Sequence, residues 1–93
     1  MREQRIERQL VQQVSKLGGL ALKFVSPGMA GVPDRLLLFP GGKAVFVETK
    51  APGKEPRPLQ VHRHEQLRAL GFRVFVIDEM KQIREVLDDL CST

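Results

Sequence analysis

The stretch from Arg35 to Lys50 constrains the fold more than any other part of the chain. Two strand-like runs, Arg35 to Phe39 and Lys43 to Lys50, flank Pro40-Gly41-Gly42, and apolar runs joined by a short Pro/Gly turn form antiparallel hairpins. With those three residues as the loop, Phe39 pairs with Lys43, Leu36 with Phe46, and Asp34 falls opposite Glu48. A loop one residue longer or shorter would move Asp34 off that face, because successive side chains alternate. By the same alternation Phe46, Glu48 and Lys50 share one face of the strand, and Val45, Val47 and Thr49 share the other.

Around the hairpin the periodicities are helical or strand-like in turn. Ile6, Leu10, Val11, Val14 and Leu17 recur at helical spacing from Glu3 to Leu17, ahead of the Gly18-Gly19 stop. Leu20 to Val25, bounded by those glycines and by Ser26-Pro27-Gly28, suits a short strand. A Gly- and Pro-rich loop runs on through Pro33. After the hairpin, Ala51 to Pro58 holds three prolines and a glycine and reads as a loop. Leu59 to Leu70 reads as a second helix with Pro58 near its start and Gly71 as its stop. Phe72 to Ile77 suits a buried strand, and Met80 to Leu90 carries Ile83, Val86, Leu87 and Leu90 at helical spacing. The expected fold class is therefore α/β, a mixed central sheet flanked by helices with a C-terminal helix. The last strand–helix–strand unit would be a right-handed crossover if its strands are parallel.

Size and composition set the frame for function. At 93 residues, positions 1–93 form one domain, since a second core would leave each half too little interior. No apolar run approaches the roughly 20 residues of a membrane span, and Met1 to Arg8 lacks the apolar segment of a secretory signal. A soluble, cytoplasmic protein without a membrane partner is expected. Cys91 stands alone, with no second Cys and no zinc-spaced Cys/His cluster. The formal charge of +4 favours a polyanionic partner, while the lack of Trp and Tyr argues against base stacking on aromatic platforms.

Chemistry gathers at one end of the hairpin. Asp34 opposite Glu48 sets two like charges across a strand pair, which is destabilising unless a cation lies between them. Mg²⁺ takes oxygen ligands and keeps several waters, so two carboxylates plus phosphate oxygens form a reasonable shell. Lys50, on the face of Glu48, is placed to orient or help deprotonate an attacking water, and the implied chemistry is phosphodiester hydrolysis. Taken singly, an Asp after Pro is a common turn residue and a Glu-x-Lys at a strand end is often a solvated ion pair. Their convergence, with Gly31-Val32-Pro33 just before Asp34, is what points to a site.

Gly31-Val32-Pro33-Asp34, then Glu48-Thr49-Lys50-Ala51-Pro52-Gly53, then Gln60 opening a helix, together resemble the VRR-NUC (virus-type replication-repair nuclease) family of the PD-(D/E)xK superfamily, from Glu7 to the last helix. The resemblance implies a restriction-endonuclease-like αβββαβ core. It implies that Asp34 and Glu48 bind Mg²⁺ or Mn²⁺, that Lys50 assists the attacking water, that Gln60 supports the site, and that an acid of the first helix, matching Glu7, joins the metal. Glu7 also lies on the inward arc of that helix, where an acid calls for a partner; Glu3 shares the arc and is its rival. Thr49 stands where aliphatic residues are commoner in the family and would offer its backbone carbonyl to the metal. Family members that stand alone imply a homodimeric endonuclease acting on branched DNA such as four-way (Holliday) junctions, without an organic cofactor, in a bacterial or phage setting. For phosphate contacts Lys54, Arg57, Arg63 and Arg68 are the candidates. His62 and His64 are read as part of a solvated face, although His64 is four residues from Gln60. The rival readings are a DNA-binding module that does not cleave, a nuclease acting on flaps, nicks or ends or targeted by a partner, and a structural domain whose acids and lysines form surface pairs.

Overall fold

The computed structural model describes residues 2–91. Its elements follow the order α1 (Glu3–Lys16), β1 (Leu20–Lys23), β2 (Arg35–Phe39), β3 (Lys43–Thr49), α2 (Pro58–Ala69), β4 (Arg73–Ile77) and α3 (Met80–Cys91). The four strands form one sheet in the order β1-β2-β3-β4, antiparallel from β1 to β3 and parallel between β3 and β4. The restriction-endonuclease-like order of elements read from the sequence is the observed one. The mixed sheet arises because the tight hairpin returns β3 beside β2 in the opposite direction, whereas α2 carries the chain back to start β4 alongside β3.

The hairpin register follows the turn: Phe39 pairs with Lys43, Leu36 with Phe46 and Arg35 with Val47. Alternation then sorts the sheet into two faces. On one lie Leu37, Val45, Val47 and Ile77, all at most 3% exposed, joined by Ile6, Leu10 and Val14 of α1 and by Ile83, Val86, Leu87 and Leu90 of α3. Each fully buried side chain of that size contributes about 1.5–3 kcal/mol, so this face is the main core. On the other lies Phe46, whose ring stands 5.5 Å from those of both Phe24 and Phe72. This second face receives α2, which packs along β4.

Element ends shift by a residue or two from the spacing-based bounds. Leu17, counted with the inward stripe of α1, is its C-cap and 42% exposed. The Gly18 N–H bonds Ser15 O and the Gly19 N–H bonds Val14 O, the paired closure known as a Schellman motif; Gly71 and Phe72 close α2 on Arg68 O and Leu67 O in the same way. β1 ends at Lys23 rather than Val25, though the Phe24 N–H still bonds Asp34 O at 2.9 Å.

The loop before β2 is locked to α2. The Arg63 Nε donates to Ala30 O at 2.8 Å, and Gly31 holds φ +84° beside the helix. A Cβ on Gly31 would stand 2.8 Å from Leu59 Cγ and 3.1 Å from Leu59 O, so the position combines left-handed backbone with close approach. Gly31→Ala is expected to lower unfolding stability by about 1–3 kcal/mol, read as a fall in Tm in a thermal melt. Gly28→Ala, where a Cβ meets nothing within 4 Å, should leave the Tm within a degree or so of the parent; equal effects at both glycines would refute the locking contact.

Candidate active site

Asp34 precedes β2, and one step beyond the Arg35–Val47 pair it lies across from Glu48. Its carboxylate reaches slightly further along β3. Oδ1 accepts the Thr49 backbone N–H at 2.9 Å, and Oδ2 accepts the Thr49 hydroxyl. Thr49 is fully buried, so two hydrogen bonds to a fixed residue pin Asp34 beside Glu48. Pro33, itself buried, sets the chain's entry into that position.

Glu48 is only 4% exposed, and both of its oxygens are met from α2. Gln60 Nε2 donates to Oε2 at 3.4 Å, and His64 Nε2 stands 3.2 Å from Oε1. The two α2 residues are one helical turn apart and so share a face. The Gln60 carbonyl oxygen accepts the Arg57 backbone N–H at 2.8 Å, which identifies the oxygen end of the amide and turns its NH₂ toward Glu48. Gln60 is therefore both a first-turn helix residue and a support of the site.

His64 is the residue that sequence reasoning set aside. It is 2% exposed and bonded to Glu48, whereas its neighbour His62 is exposed as expected. The i, i+4 spacing from Gln60 was the available signal. What concealed it was the lack of an apolar stripe, since the buried residues of α2 are the polar pair Gln60 and His64.

Charge in this cluster is strained by burial. Desolvation pushes Glu48 up from an ordinary carboxylate value of 4.5 to about 7; the Asp34 carboxylate adds to the rise, as does Glu3 from α1, while Lys50 and Arg57 oppose it. His64 moves down, first through burial and then through the cations Arg68 and Lys50, with Asp34 opposing. A neutral imidazole whose Nε2–H donates to the carboxylate satisfies both groups. Lys50 acts on Glu48 and His64 alike, and its backbone N–H is tied to Ile77 O at 2.9 Å.

Glu7 has a different partner. Its Oε1 accepts Arg35 Nε at 2.8 Å, and Arg35 Nη1 donates to Ala21 O at 3.1 Å. An inward acid does have a partner here, but the partner is Arg35, which no sequence signal marked. Among the described residues no group of three or more Asp, Glu, His or Cys gathers to hold a metal. The structure thus joins Asp34, Glu48, Lys50, Gln60 and His64 and leaves Glu7 with Arg35, while Glu3 is an α1 acid whose charge acts at Glu48. Of the phosphate-contact candidates, Lys54 and Arg57 are exposed. Arg63 is bonded to Ala30 O and Gln66 Oε1, and Arg68 Nη2 to Val74 O at 2.7 Å, so both brace α2. Cys91 is a free, exposed thiol, and among the described residues no helix is long and apolar enough to cross a membrane.

Comparison with known proteins bears on the fold and the family. The chain is 56% identical over 78 residues, 84% of each chain, to a protein of Acyrthosiphon pisum secondary endosymbiont phage 1 named "Putative nuclease p44". It is similar to a solved structure titled VRR_NUC domain, with a TM-score of 0.87 and 34% identity over 92% of this chain and 94% of that one. No family model matches the chain.

The raised Glu48 carboxyl has a thermodynamic consequence in metal-free protein. Between the unfolded value of 4.5 and the folded value of about 7 the native state holds more proton than the unfolded state, so stability falls as pH rises through that window and levels off above it. Glu48→Gln removes this component. Thermal melts in EDTA at pH 5 and pH 8 should show a larger loss for the parent than for Glu48→Gln, and parallel losses would contradict the assignment.

Proposed function

The chain belongs to the VRR-NUC family, and from that membership and the geometry of the site we propose that it is a metal-dependent DNA endonuclease. The observation that carries the reading is the pairing of Asp34 with Glu48 at the hairpin end, with Lys50 acting on the same carboxylate. Two hard oxygen donors side by side, with the Asp34 charge raising the proton affinity of Glu48, suit Mg²⁺ or Mn²⁺. The hydrogen bonds from Thr49, Gln60 and His64 do not exhaust the roughly four lone-pair sites of each carboxylate. Asp34, Glu48 and the Thr49 backbone carbonyl would hold the ion, which supplies Lewis-acid stabilisation of charge on the phosphate.

The chain's own residues do the remaining work. Thr49 holds Asp34, and Gln60 and His64 hold Glu48, so that both carboxylates are oriented before substrate arrives. Lys50 orients the attacking water and stabilises the hydroxide character it acquires as it approaches phosphorus. The resemblance to the PD-(D/E)xK superfamily implies products with a 5′-phosphate and a 3′-hydroxyl. Lys54 and Arg57, exposed beside the site, contact flanking phosphates, each adding a salt-sensitive increment to affinity. Glu7 is held by Arg35 and orders the α1–β2 contact.

We further propose branched DNA, a four-way junction above all, as substrate, and a homodimer as the acting species. A twofold pair of sites supplies the two incisions that a symmetric junction requires, and a domain of this size offers little surface with which to read DNA architecture alone.

The test is cleavage of labelled four-way junction, flap and linear duplex in Mg²⁺, Mn²⁺ or EDTA. Cleavage should require metal and fall by about 100-fold or more in Asp34→Ala and Lys50→Ala, with paired cuts confined to the junction. Folded parent protein that binds these DNAs and cuts none of them would replace this reading with a non-cleaving or partner-dependent module. Cleavage of flaps or ends in preference to junctions would keep the nuclease and discard the resolvase.

A further inference from the structure

Among the groups outside the family pattern, the buried imidazole on α2 is the one that geometry ties most closely to the site. We propose that His64 is a positioning residue: together with Gln60 it clamps the two oxygens of Glu48, so that α2 sets the orientation in which this carboxylate meets a divalent cation. The inference rests on the reading that Asp34 and Glu48 hold a metal ion.

Two observations carry it. A glutamate side chain has three rotatable bonds, and meeting an ion in one orientation costs the freedom of all three. Here each oxygen has its own α2 partner, His64 Nε2 at 3.2 Å and Gln60 Nε2 at 3.4 Å, and two separate contacts fix the carboxylate plane where one would leave it free to turn. Finally, His64 and Gln60 are the buried residues of α2. The helix meets the sheet through the very groups that grip Glu48, so helix placement and carboxylate orientation are set by the same contacts.

A merely structural role for His64 would also make its replacement destabilising, so the test reads metal binding and uses two polar replacements that differ in reach. In His64→Gln the amide nitrogen occupies the place of Nε2, while in His64→Asn the donor is one methylene short of Glu48. Mn²⁺ is titrated calorimetrically into the full chain without DNA, with Asp34→Ala as the control for binding elsewhere. His64→Asn and His64→Leu should weaken Mn²⁺ binding by about 10–100-fold, and His64→Gln should recover most of the parent affinity. Junction cleavage at saturating Mn²⁺ should follow the same ranking. Equal Mn²⁺ affinity in parent, His64→Asn and His64→Gln, with binding lost in Asp34→Ala, would overturn the clamp and leave the metal site standing. Should His64→Leu fail to fold, the Gln/Asn pair decides alone. Parent protein that binds Mn²⁺ no better than Asp34→Ala would overturn the metal reading and the clamp with it.

Discussion

Everything in this domain hangs on the pairing of β2 with β3. The turn Pro40-Gly41-Gly42 sets Phe39 against Lys43, and each later pair follows from that one. A slip of one residue would turn Val45 and Val47 out of the core and exchange them for Phe46 and Glu48. With the core-facing set at most 3% exposed, the loss would be several kcal/mol, on the order of a small domain's whole stability. The apolar pattern therefore protects the register of the candidate site: what keeps valines inside also keeps Asp34 next to Glu48.

The second face is built on a different principle. α2 has no apolar stripe, and its buried contacts are Gln60 and His64 on a carboxylate. Polar groups buried in this way stabilise only when every partner is present, and among the described residues no buried side-chain nitrogen or oxygen lacks one. Around them Arg63 on Ala30 O and Arg68 on Val74 O fasten the helix to the loop before β2 and to β4. Two arginines that look like phosphate ligands in the sequence also brace the helix that presents the site.

The legibility of the sequence divides along the same line. Apolar periodicity and turn chemistry located every element and the hairpin register, because both are local signals. They also placed Asp34, Glu48 and Lys50 together, since strand alternation is a geometric rule. The partners that depend on how elements meet were not visible. Helical periodicity marks Glu7 as an acid needing a partner, yet Arg35 lies 28 residues away on another element. His64 reads as part of a solvated surface because its helix is rich in His, Arg and Glu, and only the docking of α2 on Glu48 reverses that reading. Gln60 serves two places at once: one amide has two ends, and the helix start and the site each use one.

The hairpin loop lies at the opposite end of β2 and β3 from Asp34 and Glu48. Phe39 lies five residues along the chain from Asp34, roughly 16 Å at the usual rise, and the space around the tip is open, although Gly41 and Gly42 themselves hold positive φ. The candidate site and anything attached at the loop tip are thereby kept apart once the register is kept. A dye, a tether or a short affinity peptide grafted at that tip would report on the domain or immobilise it from the end away from Asp34 and Glu48, giving single-molecule work a handle that leaves those residues unencumbered.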